Sequence, residues 1–280
     1  MANPLARRIM TLLATVAAIY LGLMILLLAF ETRFIFFPNF PGRLTGDWNP
    51  PGLPVEDVWL TAGDGVRIHA WWIPAPAAEF TFLMLHGNAA NLPNRADIYR
   101  AFHALPANVL AVEYRGYGKS EGTPSEAGIY LDARAAYHHL TRERAIPAPR
   151  IIAFGASLGS AVAADLAAER EVAALVLEAP FASAAAVARR VYPFLPGLGR
   201  FIRSKFDTLA KVKTIRAPLL VVHCTRDPVI APALGQAVFD AANEPKHFLR
   251  IDAACHEDAM LADPAPYRAA LLDLLGRLKR

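Results

Sequence analysis

The chain is expected to fold as a doubly wound α/β domain, an eight-stranded mostly parallel sheet with helices on both faces, behind one N-terminal transmembrane helix. Three observations predict this. Eight apolar runs of strand length alternate with helix-like segments over residues 55–280. A charge-free run of 22 residues, 9–30, precedes them. A Gly-x-Ser-x-Gly pentapeptide stands between a strand-like run and a helix-like one. Composition agrees: of 280 residues, 55% are hydrophobic and 19% charged, enough apolar surface to offset chain entropy and to exclude a disordered or collagen-like chain. With 2 cysteines the chain is neither a disulfide-stapled mini-protein nor a cysteine-built zinc domain.

Residues 1–8 form a short tail carrying Arg7 and Arg8. Residues 9–30 would make a helix of roughly 33 Å, enough to cross a ~30 Å hydrocarbon core. A cleavable signal has a shorter apolar region and a small-x-small cut site, whereas this run ends Leu28-Ala29-Phe30-Glu31. An uncleaved signal anchor is therefore expected. Arg7 and Arg8 favour a cytoplasmic N-terminus against the weaker opposing pull of Arg33 and Arg43, which places the domain outside the cytoplasm, in the periplasm if the source is bacterial. Residues 31–54, with Pro38, Pro41, Pro50, Pro51 and Pro54, read as a linker to the α/β domain at 55–280.

Strands are expected at 55–60 and 66–73, where polar and apolar residues alternate as in an antiparallel start. Those at 80–85, 109–114, 150–154, 173–177, 218–223 and 247–251 are continuous apolar runs, as when helices cover both faces of a parallel sheet. Helices are expected at 125–144, 157–170 and 264–280, and the alternation calls for right-handed crossovers.

Gly155-Ala156-Ser157-Leu158-Gly159 follows the fifth strand and opens a helix, the strand–turn–helix context of a nucleophile elbow. A free serine hydroxyl is a poor nucleophile and needs an adjacent base. In this architecture the acid and then the histidine follow at the ends of later strands. Asp227 stands just past the seventh strand and His256 past the eighth, so Ser157, Asp227 and His256 form the candidate triad. Glu178 follows the sixth strand and is the competing acid; Asp252 and Asp258 lie too near His256 in sequence. His138, His139 and His223 read as surface or core residues. The loop His86-Gly87-Asn88-Ala89-Ala90-Asn91 follows the third strand, and the backbone amides of Asn88 and Leu158 are the candidate oxyanion donors, with His86 buttressing the loop.

These residues, together with Glu113-Tyr114-Arg115-Gly116-Tyr117-Gly118-Lys119-Ser120-Glu121-Gly122 and Glu178-Ala179-Pro180-Phe181, resemble the α/β-hydrolases of the Bem46-like group, related to the membrane-anchored ABHD13- and ABHD17-type hydrolases. The resemblance runs from about Phe34 to the C-terminus, and the short N-terminal anchor is similar too. It implies a serine hydrolase acting on an ester, thioester or amide through an acyl-enzyme, with no metal or organic cofactor. There are departures. Glu113 stands where the family usually has Asp, Ala90 where glycine is frequent, and Cys224 and Cys255 where glycine is common. Adjacent strand ends carry both cysteines, so two readings stay open: a disulfide tying the acid loop to the base loop, or two buried free thiols.

The net charge of +4 hides an asymmetry: residues 189–216 hold eight basic side chains against Asp207 alone, a net of +7 that leaves −3 elsewhere. This stretch overlaps a lid expected at about 181–213 and is also apolar, which suggests contact with anionic lipid or acyl substrates; a solvated face over a core stripe is the plainer reading. The cluster is short and carries no nucleic-acid recognition module. The expectation is a membrane-anchored esterase or thioesterase for a small-molecule or lipid-like acyl substrate. A serine peptidase or amidase on the same fold is one alternative, and a non-catalytic anchored binding protein the other.

Overall fold

The computed structural model describes residues 4–280. All of the charge-free run but Phe30 lies within α1, Pro4–Ala29, the one helix among the described residues that is long and apolar enough to cross a membrane. The segment expected as linker is more ordered than its prolines suggest. It opens with a short helix, α2 (Glu31–Ile35), and Phe37 then bridges Ala89 in parallel, so the chain is pinned to the domain before the first strand.

The strands are β1 (Glu56–Thr61), β2 (Arg67–Ile73), β3 (Phe80–Leu85), β4 (Ala107–Val112), β5 (Ile151–Ala156), β6 (Ala174–Glu178), β7 (Leu219–Cys224) and β8 (Lys246–Ile251). They form one sheet in the order β1-β2-β4-β3-β5-β6-β7-β8. The β1–β2 and β2–β4 pairs are antiparallel and the rest parallel. The fourth strand starts and ends two residues earlier than expected. Ala107 already pairs with Phe80, and Tyr114 leaves the ladder so that its hydroxyl donates to the His86 carbonyl at 3.1 Å.

The connecting helices are α3 (Ala96–His103), α4 (Glu126–His138), α5 (Leu158–Glu169), α6 (Ala184–Val191), α7 (Leu198–Phe201), α8 (Thr208–Val212), α9 (Pro232–Ala241), α10 (Ala259–Ala262) and α11 (Pro264–Leu278). The helix expected at 125–144 is α4 followed by one wider turn, His139–Glu143. Its N-terminus is capped by Ser125, whose hydroxyl accepts the Gly128 N–H at 3.1 Å.

Strand pleating divides the core. On β3, Leu83 and Leu85 join the side covered by α4, α5 and α9, while Phe82 and Met84 join the side covered by α3 and α11. Nearly every side chain of β3 to β7 is buried, which accounts for their unbroken apolar sequences. A fully buried Leu or Phe contributes ~1.5–3 kcal/mol, so truncating one here costs about 2–5 kcal/mol with the cavity it leaves.

A third, smaller cluster lies apart from the sheet. Met24 of α1 packs with Ala188, Leu195, Leu198 and Ile202 of the segment between β6 and β7, flanked by Tyr20, Leu27 and Leu28. Tyr20 donates its hydroxyl to the Pro196 carbonyl. The end of α1 is thus docked on the domain and is not a free tether.

Candidate active site

The β5–α5 turn sets the geometry. Ser157 sits at φ +50°, a backbone region that L side chains rarely adopt. The bend holds because its flanks have no side chains. A Cβ on Gly155 would lie 2.1 Å from the Gly159 carbonyl oxygen, and one on Gly159 would lie 2.0 Å from the Leu85 oxygen. The Ser157 N–H is tied to the Glu178 carbonyl at 2.9 Å. These contacts lift the serine above the sheet edge at the N-terminus of α5.

The loops after β7 and β8 bring the partners to it. His256 Nε2 is 2.9 Å from Ser157 Oγ, and its Nδ1 is 2.8 Å from Asp227 Oδ2. The Asp227 side chain is buried, and its Oδ1 accepts the N–H groups of Val229 and Ile230 at 2.8 and 2.9 Å, so the carboxylate plane is held. Burial pushes the Asp227 carboxyl upward, but hydrogen bonds from His223 and His256 outweigh it and keep the group well below the usual carboxylate range. Burial lowers His256, yet the hydrogen bond and charge of Asp227, helped by Glu257 and Glu178, leave the imidazole above its ordinary value.

Glu178, the competing acid, is buried elsewhere in the network. Its oxygens accept the Ala259 N–H at 2.9 Å and the Tyr267 hydroxyl at 2.8 Å, and burial raises it to about 7. It anchors the segment after His256 and does not contact the imidazole through a hydrogen bond. Asp252 bonds Thr225 and Arg226, and Asp258 accepts the His256 N–H at 3.0 Å, so both serve loop geometry.

Two neighbours escaped sequence reasoning. His223, next to the end of β7, is buried with Nε2 3.1 Å from the Ile230 carbonyl and 3.4 Å from Asp227 Oδ2, a second imidazole behind the acid. Its spacing of four from Asp227 was the available signal. Glu257, next to His256, pairs with Arg95 at 3.0 Å, and Arg95 also donates to the Ala89 carbonyl at 2.6 Å. That bridge ties the base loop to the loop after β3 across 162 residues of sequence, a pairing no local pattern reveals. A Cβ on Gly87 would meet the Glu257 carboxylate, so a larger residue there would displace that side chain from Arg95.

Asn88 and Leu158 line the same cavity as Ser157, and neither backbone N–H has an acceptor among the described residues. The Asn88 N–H shares its peptide plane with the Gly87 carbonyl, which His86 Nδ1 bonds at 2.7 Å, and the next peptide is held by Phe37 N–H and the Tyr117 hydroxyl, which donate to the Asn88 carbonyl. Ala90, where glycine is frequent in the family it resembles, adopts φ +63°, the left-handed conformation that glycine takes without strain. His86 is buried beneath the loop, bonded to the Gly87 carbonyl at 2.7 Å and 3.3 Å from Glu113. Cys224 and Cys255 are joined sulfur to sulfur, with Cα atoms 5.6 Å apart. The bridge links the two loops that carry Asp227 and His256. No group of three or more His, Cys, Asp or Glu suited to a metal ion occurs among the described residues.

The cavity beside Ser157 has a volume of about 260 Å³. Phe181, Val187 and Ile202 of the lid form one side, Ile230 of the acid loop another, and Leu27, Leu28 and Ile35 of α1 and α2 a third. The sequence assigned α1 to the membrane and the lid to the substrate; in the structure both line one cavity.

This fold, with a serine on a strained strand-to-helix turn, defines an α/β-hydrolase, and the family model described as the alpha/beta hydrolase fold matches residues 81–211. The chain belongs to the α/β-hydrolase family. It is 34% identical over 275 residues to the alpha/beta hydrolase domain-containing protein WAV2 of Arabidopsis thaliana, covering 90% of this chain and 89% of that one. To human alpha/beta hydrolase domain-containing protein 17B it is 32% identical, over 74% of this chain and 71% of the relative. Among solved structures, an esterase of Pyrococcus furiosus superposes with a TM-score of 0.70 at 22% identity, over 88% of this chain and 98% of the esterase.

Proposed function

We propose that the protein is a membrane-anchored serine hydrolase that cleaves an acyl ester or thioester. The observation that carries this reading is the unbroken hydrogen-bonded line from Ser157 Oγ through His256 to Asp227. Ser157 Oγ attacks the acyl carbonyl while His256 Nε2 takes the hydroxyl proton. The tetrahedral oxyanion is met by the N–H groups of Asn88 and Leu158. Collapse breaks the bond to the leaving alkoxide or thiolate, which receives the proton from His256. Water, deprotonated by the same imidazole, then attacks the acyl-enzyme and releases the acid, restoring Ser157. Asp227 holds the imidazole tautomer and stabilises the imidazolium.

The apolar lining of the cavity favours an acyl chain over a peptide backbone, which would leave its polar groups without partners. In this reading α1 spans the bilayer as an uncleaved anchor and the domain lies outside the cytoplasm, where the Cys224–Cys255 bridge fits an oxidising compartment. A fluorophosphonate probe tests the chemistry. It should label the wild type and not Ser157→Ala; no labelling of wild type, or equal labelling of both, would overturn the assignment. Cleavage of esters and thioesters, with amides untouched, separates the esterase reading from an amidase.

A further inference from the structure

Resting on that hydrolase reading, we propose that α1 and α2 are one wall of the acyl-chain site. The chain of a membrane-resident ester or thioester then reaches Ser157 directly from the bilayer, between this wall and the lid helices α6 and α7.

The docked side of α1 is a single helical face that continues into α2. Tyr20, Met24, Leu27 and Leu28 of α1 and Glu31 at the start of α2 have reduced exposure, at spacings i, i+4, i+7, i+8 and i+11. Leu27 and Leu28 line the cavity that holds Ser157, so the anchor's last turn and the nucleophile share one space. The depth follows from helix length. If the lid contacts stayed in water, only 9–19 of the charge-free run would be left to span, roughly 17 Å against a ~30 Å hydrocarbon core. Burying the whole run therefore carries the lid contacts, and the cavity beside them, into the outer layer of the membrane.

The lid surface has the composition for that position. Val191, Phe194 and Phe201 are 53%, 64% and 60% exposed, and Arg189, Arg190 and Arg200 accompany them in the same segment. Exposed apolar side chains with interspersed arginines are the pattern of a segment seated at a headgroup boundary. The cavity's 260 Å³ lies just below the ~300–1,000 Å³ of small-ligand pockets and suits one linear chain, not the body of a two-chain lipid.

The test uses the full-length chain in phosphatidylcholine vesicles and compares kcat/KM for p-nitrophenyl dodecanoate and butyrate. Leu28→Trp, filling the wall, should lower the dodecanoate-to-butyrate ratio roughly tenfold or more, the discrimination that apolar-pocket changes bring. Leu28→Ala, which asks less of folding, should move the ratio in the opposite direction. Leu13→Trp, on an exposed part of α1, should leave it unchanged. Ratios within about twofold of wild type for both Leu28 variants, with Ser157-dependent butyrate turnover intact, would overturn the wall assignment alone. A wild type that turns over neither ester and takes no fluorophosphonate would overturn the hydrolase reading, and the wall with it.

Discussion

The carboxylate of Glu31 accepts the backbone N–H of Ser204 at 2.7 Å, and its second oxygen accepts that of Arg203 at 2.9 Å. Arg203 returns the contact by donating to the Leu28 carbonyl at 2.9 Å. A buried acid just past α1 thus fastens the lid to that helix. Glu31→Ala leaves two lid amides without their acceptor and should cost about 1.5–3 kcal/mol, seen as earlier thermal unfolding in detergent and faster tryptic cutting near Arg200 and Arg203.

Asp227 sets the orientation of His256 through the 2.8 Å bond to Nδ1. Asp227→Asn permits the wrong imidazole tautomer and should lower kcat by roughly 10²–10⁴ with little change in KM, measured on a short-chain ester.

The raised His256 defines a pH dependence. The imidazole must be neutral to accept the Ser157 proton, so kcat/KM should fall with acid, with its midpoint above the ordinary 6.5. Glu257 contributes to that rise, so Glu257→Gln should move the acidic limb toward lower pH. An unmoved limb would show that Glu257 acts only through Arg95.

Glu178 should make stability pH-dependent in the opposite sense to most carboxylates. Its folded value of about 7 exceeds the usual 4.5, so the folded state holds the proton more tightly. Stability is therefore full below about pH 4.5 and is lost as pH rises through 7, by at most about 3 kcal/mol. Melting temperatures of wild type should fall between pH 5 and pH 8 more steeply than those of Glu178→Gln.

The Cys224–Cys255 bridge closes a loop with a sequence separation of 31. Chain-entropy arguments give such a link about 3–4 kcal/mol, so reduction or Cys255→Ser should lower the melting temperature. Activity should decline as well, since the bridge joins the loops of Asp227 and His256.

Much of this protein is legible along the chain because the relevant physics is local. The apolar runs that become β3 and β5 to β7 need no alternation, since helices cover both faces, and their lengths alone marked them. Ser157 was visible because its turn admits only glycine at 155 and 159, where a side chain would strike a carbonyl. Asp227 and His256 were visible because loops at the C-terminal ends of parallel strands converge. Less was legible where partners lie far apart in sequence. The 31–54 stretch is rich in proline, yet Phe37 and Glu31 bind it to the domain.

Sequence order and composition were sufficient for the class of fold, the elbow serine and a helix of membrane length, because each depends on residues within about one element of one another. The Arg95–Glu257 bridge, the second imidazole behind Asp227 and the docking of Tyr20, Met24 and Leu28 on the lid arose only when the chain closed on itself. An apolar helix face has no preferred partner until folding places another apolar surface beside it. That is why a segment with the composition of a simple anchor ends as a wall of the site.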